Sequence, residues 1–445
     1  MQYILEIFQL IFVFALVKSF GWLLFLWVGI WVWYKLRIAG AQARYGATLK
    51  WIFLEVRIDE LNERSPLAME QIIAALHAIH TGYTWGERFN GKFVTTVSCE
   101  IVSLGGRVSF IFKMVDRYRD LFESAVFAQY PKAEIYEVED YLKHLPRIYD
   151  PETAEFDFWG TQMNKRKDGT ESCYPIKTYP SFEHTQQKTI IDPLAGVLEV
   201  MSNIQPYELL VSQMVVKPVD ESWKKATEKI LEKLRGNPAP KRKKGAMDFM
   251  FDLPLQLISG LANIVLPGGG EAAPAKPVRE KEEQPSKIQY LSEGQKDVIS
   301  AVEGQLAKIS YEIKLRLFYL APKDKFNKGL RVPQIIGGYR NFDNPAVNGL
   351  KPDLKRTWTD SGFKYFESLE KPLRDHQKLV RKRKFLTAFK DRDHYKGSGK
   401  TILNTEEVAT LFHFPQSPNV RVSQLERVVT VKSAPPSDLP IVENM

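Results

Sequence analysis

Between Leu10 and Tyr34 the chain reads LIFVFALVKSFGWLLFLWVGIWVWY, a run in which Lys18 is the only charge. As a helix, such a run extends about 37 Å, against about 30 Å for a bilayer's hydrocarbon core. Trp22 and Trp27 lie within it, Trp31, Trp33 and Tyr34 close it, and Lys35 and Arg37 follow at once. Aromatic residues followed by a basic flank suit a headgroup belt with that flank facing the cytoplasm. The expectation is a single-pass helix in a bacterial inner (cytoplasmic) membrane, with lipid as its partner and the C-terminal domains cytoplasmic. Two other readings compete. A signal peptide would need a basic N-terminal region and a shorter apolar core, and neither is present. A helical hairpin could break near Lys18 to Gly21, because the uncharged run Ser19 to Tyr34 is only 16 residues.

At 445 residues, an anchor plus two or three domains is expected, and 44% hydrophobic residues is ample for packed cores. A formal net charge of +9 suits anionic lipid or nucleic acid and does not choose between them. Two cysteines, Cys99 and Cys173, make no disulfide framework.

After the anchor, Trp51 to Ile58 alternates apolar and polar residues as a strand does. Ser65-Pro66 opens a helix with Met69, Ile72, Ile73, Leu76 and Ile79 at helical spacing. Phe93–Val102 and Arg107–Met114 are strands joined through Gly105-Gly106, a hairpin signal. A helix over Tyr118–Gln129 and a strand over Ala133–Val138 follow. The order strand, helix, strand, strand, helix, strand predicts a ferredoxin-like domain within an α+β chain.

A second α+β domain is predicted from a strand at Phe156–Met163, a helix at Asp192–Ile204 capped by Asp192, a strand at Tyr207–Val216 and a helix at Ser222–Arg235. It resumes with a helix at Glu293–Ile309 and a strand at Ile313–Leu320. Between these parts lies a long insertion expected to be disordered, rich in proline, glycine and charge. It contains Lys241-Arg242-Lys243-Lys244 and a roughly amphipathic segment, Met247–Leu266, able to lie on a lipid surface. A helix at Lys378–Lys390 carries a second basic run, Arg381-Lys382-Arg383-Lys384. Thr401–Asn404 reads as a short strand and Thr405–Phe412 as a helix capped by Thr405. The expected divisions are 1–47 anchor and juxtamembrane segment, 48–145 ferredoxin-like domain, 146–235 and 287–415 the two parts of the second domain, 236–286 linker, and 416–445 proline-rich tail.

No motif predicts catalysis, a cofactor or a metal site. Gly397-Ser398-Gly399-Lys400-Thr401 hints at a phosphate loop, but His394 stands where the pattern needs glycine, and a strand-like TILN follows where a helix is required. A turn is the better reading. His77 and His80 lie one helical turn apart, without the further ligands of a zinc site. The two basic runs could touch lipid or nucleic-acid phosphate, or simply be solvated.

Several stretches together, SPLAMEQIIAALHAIH (65–80), AQYPKAEI (128–135), YPIKTY (174–179), DPLAG (192–196), KPVDESW (217–223) and ILNTEEVATLFHFP (402–415), resemble the region ahead of the ATPase in VirB4/VirD4-like type IV secretion and conjugation proteins. The resemblance implies a non-enzymatic, membrane-anchored scaffold that works with a separate secretion ATPase, since the motor expected after the proline-rich stretch does not follow Pro440. A homo-oligomer is compatible with that role. The alternative is a membrane-tethered, non-specific DNA-binding protein.

Overall fold

The structure, a computed structural model, describes residues 2–59, 62–167, 172–184, 189–235, 291–360 and 371–416, with side chains in the first helix from residue 25. Helix α1 (Gln2–Thr48) leads into strand β1 (Trp51–Arg57), where Ile52, Leu54 and Val56 bury on one face. Helix α2 (Pro66–Leu76) carries Pro66 in its first turn, where the missing N–H is one that the helix leaves unbonded anyway. Its Met69, Ile72, Ile73 and Leu76 enter the core. The short helix α3 (Trp85–Phe89) precedes β2 (Val97–Leu104) and β3 (Arg107–Val115). These strands are joined by Gly105 and Gly106 at φ 61° and 89°, the positive values that a two-residue hairpin turn of the right twist demands. Helix α4 (Arg119–Gln129) and β4 (Glu134–Glu137) follow.

The chain continues through β5 (Phe156–Lys165), a two-strand ribbon of β6 (Glu183–His184) and β7 (Thr189–Ile190), α5 (Ala195–Ser202), β8 (Leu209–Pro218) and α6 (Lys224–Leu234). Then come α7 (Glu293–Ala307), β9 (Ser310–Pro322), α8 (Lys328–Tyr339), β10 (Leu350–Pro352), α9 (Lys371–Lys390), β11 (Thr401–Asn404) and α10 (Thr405–Leu411). The fold is α+β, as the sequence predicts. Nine strands form one sheet in the order β10-β5-β9-β8-β2-β3-β1-β4, with β11 pairing to β9 beyond the end of β5. Every pairing in this sheet is antiparallel.

The strands expected in two separate domains therefore share a sheet. They meet where β2 runs against β8, from Val97 opposite Val216 to Leu104 opposite Leu209. On either side of this junction the same plan recurs. Strand, helix, strand, strand, helix, strand describes β1-α2-β2-β3-α4-β4 and, with additions, β5-α5-β8-β9-α8-β10. In each half the fourth strand takes the outer edge, beside the first. Both edges are short, and β10 ends in Pro352, which discourages further strand pairing. One hairpin differs. Gly105-Gly106 closes β2 on β3, whereas the equivalent link from β8 to β9 holds a second compact unit, Glu221–Leu306. In that unit Leu231, Ile299 and Val302 are buried, and Arg235 pairs with Glu303 at 2.7 Å. The predicted linker 236–286, with Lys241, Arg242, Lys243, Lys244 and Met247–Leu266, lies outside the described residues.

Helices α2, α4, α5, α8 and α10 all contribute to a core on one face of the sheet. Phe412 and Phe414, just past α10, meet Phe110 and Phe112 edge-on at centroid distances of 5.1 to 5.6 Å. On the opposite face Val102, Ile111, Phe158, Val211 and Phe318 are covered by Phe385, Leu386 and Phe389 of α9. Phe389 stacks on Phe318 at 4.4 Å. Gly160 of β5 makes room for α9, since a Cβ there would come within 2.2 Å of the Phe385 ring edge. Gly160→Ala is expected to destabilise the fold by about 1–3 kcal/mol through overpacking. A urea midpoint that falls, and recovers when Phe385→Leu is added, checks this.

The expected membrane crossing does not hold: among the described residues, no helix is long and apolar enough to cross a membrane. Among the side chains of α1 that the structure describes, Lys35, Arg37 and Arg44 break up the apolar residues, and charges at that density are costly in a hydrocarbon core. The single-pass inner-membrane placement is therefore withdrawn. Of the residues assigned to that anchor, Trp22 lies outside the described side chains, while Trp27, Trp31 and Trp33 are exposed. Three others make contacts within the protein. Tyr34 stacks on Phe89 at 6.3 Å, Arg37 lies over the same ring at 5.1 Å, and the Lys35 ammonium sits 5.7 Å from the Trp31 ring. Gly91, at φ 91°, passes so close to Ala41 that only glycine fits, so this end of α1 rests on the 83–93 segment.

Two helix starts also differ from expectation. Asn404, not Thr405, caps α10: its side chain accepts from the Glu407 amide, and Glu407 accepts from the Asn404 amide in return. Asp192 lies three residues before the first residue of its helix, two before the Leu194 cap, and accepts instead from the amides of Leu194 and Gln416 and from His413.

Candidate functional site

Helix α9 divides its basic run by helical period. Lys382, Phe385, Leu386 and Phe389 recur at the spacing of one buried face. Lys382 is turned inward, paired with Asp157, its ammonium 5.2 Å and 5.4 Å from the Tyr149 and Phe158 rings. Arg383 donates from Nε to the Tyr149 carbonyl at 2.8 Å. Arg381 and Lys384, one turn apart, border a cleft of about 1170 Å³. Lys355 and Arg356 enter it from the loop after β10, and Lys396 from the loop after α9. With Arg316 and Arg383, seven Lys or Arg residues line the cleft, and among the described residues no aspartate or glutamate does. Lys355, Arg356, Arg381 and Lys384 form no ion pair among the described residues, and Arg381 Nη1 is a buried donor without an acceptor.

The loop that closes this cleft, 391–400, is held from beneath by the polar part of the sheet. Arg392 takes the left-handed conformation at φ 54°, rare for a residue with a long side chain. It is secured by a buried fork. Nε and Nη2 donate to the two carboxylate oxygens of Glu100 at 3.0 and 3.3 Å, and Nη1 and Nη2 donate to Asp140 at 2.7 Å each. Gln213, Ser98 and Tyr141 also donate to Glu100. Burial pushes the Glu100 carboxyl up, but Arg392, Ser98 and Tyr141 outweigh it and hold its pKa below the usual range. The Asp393 carboxylate accepts from the amides of Tyr395 and Lys396 at 2.7 and 3.1 Å, which turns the chain. Gly397, at φ 116°, passes over Gln162.

Two cations on β9 then grip the loop's carbonyls. Arg316 donates to Asp393 O and, at 2.9 Å, to Lys396 O; Lys314 donates to Ser398 O and, at 2.9 Å, to Gly399 O. Burial and the neighbouring Arg316 draw the Lys314 pKa down to about 8. The loop is thus fixed by its carbonyl oxygens, and Tyr395 and Lys396 are presented to the cleft.

This arrangement also decides the Gly397–Thr401 motif. A phosphate loop offers amide N–H groups inward to the ligand. Here the carbonyls of Ser398 and Gly399 turn inward onto an ammonium, and β11 rather than a helix follows. A smaller cleft of about 530 Å³ lies alongside, sharing Lys355 and Arg356 but also lined by Glu312 and Asp353. Burial raises the Glu312 carboxyl, yet His394 and Lys400 outweigh this and hold its pKa at about 2. An anion in that smaller cleft meets carboxylates as well as cations, so the larger cleft is the better anion site.

His77 and His80 stack at 5.7 Å, and His77 Nε2 bonds the Val219 carbonyl at 3.1 Å. Among the described residues, no group of three or more His, Cys, Asp or Glu side chains is placed to hold a metal ion. Both cysteines are buried. Of the eight cations expected to meet lipid or nucleic acid, the structure places Arg381 and Lys384 in the cleft and also Arg383 at its wall, and it turns Lys382 away. Sequence reasoning missed Lys355, Arg356 and Lys396, which stand singly or in a pair within mixed loops and form no basic run.

A comparison with curated proteins finds no match. A family model described as a domain of unknown function, DUF8128, matches residues 46–424, a span that includes all nine strands of the sheet and the whole cleft. The chain belongs to the DUF8128 family.

Proposed function

We propose that the protein binds nucleic acid through its phosphate backbone, in the cleft between α9 and the 391–400 loop. One observation carries the reading: seven cationic side chains line a recess of about 1170 Å³ that, among the described residues, no carboxylate lines. Like charges held together in a partly desolvated recess repel one another and raise the free energy of the empty site, so a polyanion is the complementary ligand. A phosphate backbone supplies charge at regular intervals and needs no base-specific contact. We infer also that each half of the sheet is a ferredoxin-like unit; the edge-to-centre order of four antiparallel strands in both halves supports this.

The test uses the full chain and a labelled mixed-sequence oligonucleotide at low salt. The double variant Arg381→Glu/Lys384→Glu is expected to weaken binding by a hundredfold or about that order, since two favourable charges become two repulsive ones. Reversal of Lys241 to Lys244 should have a smaller effect. Retention of affinity by the α9 variant would remove the cleft as the site.

A further inference from the structure

Resting on that reading, we propose that the cleft takes a single strand and not a duplex, with Tyr395 as the platform for an unpaired base. Tyr395 is 64% exposed, yet it is far from loose. Its amide is bonded to the Asp393 carboxylate at 2.7 Å, and the His394 ring meets it edge-on at 5.7 Å. The Lys217 ammonium lies 5.2 Å from its ring centroid, against one face, which leaves the other for a ligand. Beneath the loop, Arg316 ties down the carbonyls on either side of Tyr395. An aromatic ring held on a braced loop and turned to water beside a basic recess has the two parts of a strand-binding site, a π-face and a track of cations.

The shape of the recess points the same way. Its wall includes apolar groups, Ile148, Val380 and Phe385, among the cations. A duplex carries its phosphates on a convex surface and keeps its base faces stacked inside, so Tyr395 and the apolar wall would meet nothing of matching chemistry. A single strand can enter with its backbone against Arg381, Lys384 and Lys355 and turn a base onto Tyr395.

The experiment compares the full chain's affinity for a labelled DNA strand with its affinity for the same strand in a blunt duplex. The strand is expected to bind at least about tenfold more tightly. Tyr395→Ala should lose about tenfold on the strand and leave the duplex unchanged, and Tyr395→Phe should keep wild-type affinity because the ring is retained. Equal affinity for strand and duplex, or a Tyr395→Ala variant that binds the strand as before or loses both alike, overturns the single-strand inference while leaving phosphate binding in place. Failure to bind either nucleic acid removes both.

Discussion

Arg392→Ala is expected to lose about 3–5 kcal/mol of stability, a large part of the total for a domain of ordinary stability. The side chain is buried, as is that of Glu100, and removal leaves Glu100 charged in the sheet without its main partner. Asp140, a quarter exposed, loses its two bonds from the guanidinium as well. The loss should appear as a lower urea midpoint with an unchanged slope. The double variant Glu100→Gln/Arg392→Met should lose less than the sum of the single changes, because the uncompensated charge is gone. The same cluster sets a pH dependence. Burial pushes Glu100 and Asp140 up, but their partners outweigh it, so both carboxyls sit below their unfolded values. Their contribution is complete above the unfolded carboxylate range, about 3.9 to 4.3, and disappears as pH falls through the lower folded values. Wild type should therefore lose stability in acid more steeply than the Glu100→Gln/Arg392→Met variant.

Glu407→Gln is the second change expected to cost about 3–5 kcal/mol. Glu407 and Lys165 pair at 2.8 Å, and both side chains are fully buried. The same carboxylate accepts from the amides of Ile176 and Asn404, so it joins β5, the segment after it and the cap of α10. Neutralising it strands the Lys165 ammonium, whose remaining acceptor is the Ser172 carbonyl at 2.8 Å. Lys165→Met should cost less, since Glu407 keeps its two backbone donors. Thermal unfolding of the two single variants and the double would order them, and a Lys165→Met that proves worse than Glu407→Gln would show that the carboxylate is not the hub.

These two clusters mark where the sequence stops being legible. Apolar periodicity suffices wherever one face is dry: Ile52, Leu54 and Val56 in β1, or Val108, Phe110, Phe112 and Met114 in β3, announce strands without help. The predicted start of β9 at Ile313 is three residues late, because Glu312 reads as solvent-facing although it is buried. Glu312, Lys314 and Arg316 recur at strand spacing on the face that grips the loop, so their charge belongs to the interior. The joining of two halves into one sheet was hidden for a related reason. Every residue of β2 before Leu104 is buried, which shows that both its faces and both its edges are covered, but a pattern along one strand does not name the partner across it. The α10 cap was legible in principle, since a capping box needs glutamate three residues after the cap, and Asn404 has Glu407 where Thr405 has Val408. The basic run on α9 was visible as charge. Only the helical period, together with Asp157 from β5, shows that Lys382 belongs to the interior and Arg381 and Lys384 to the cleft.

The central claim is that the cleft's cations meet phosphates, and its most direct test is the salt dependence of binding by the full chain to a single-stranded oligonucleotide. Four cations there have neither an ion-pair partner nor a hydrogen-bond acceptor for the side chain among the described residues, Lys355, Arg356, Arg381 and Lys384. At about 0.7 counterions released per single-strand contact, log K should fall against log salt with a slope near −3. Absence of binding at low salt, or an affinity that does not change as salt is raised, would contradict the account.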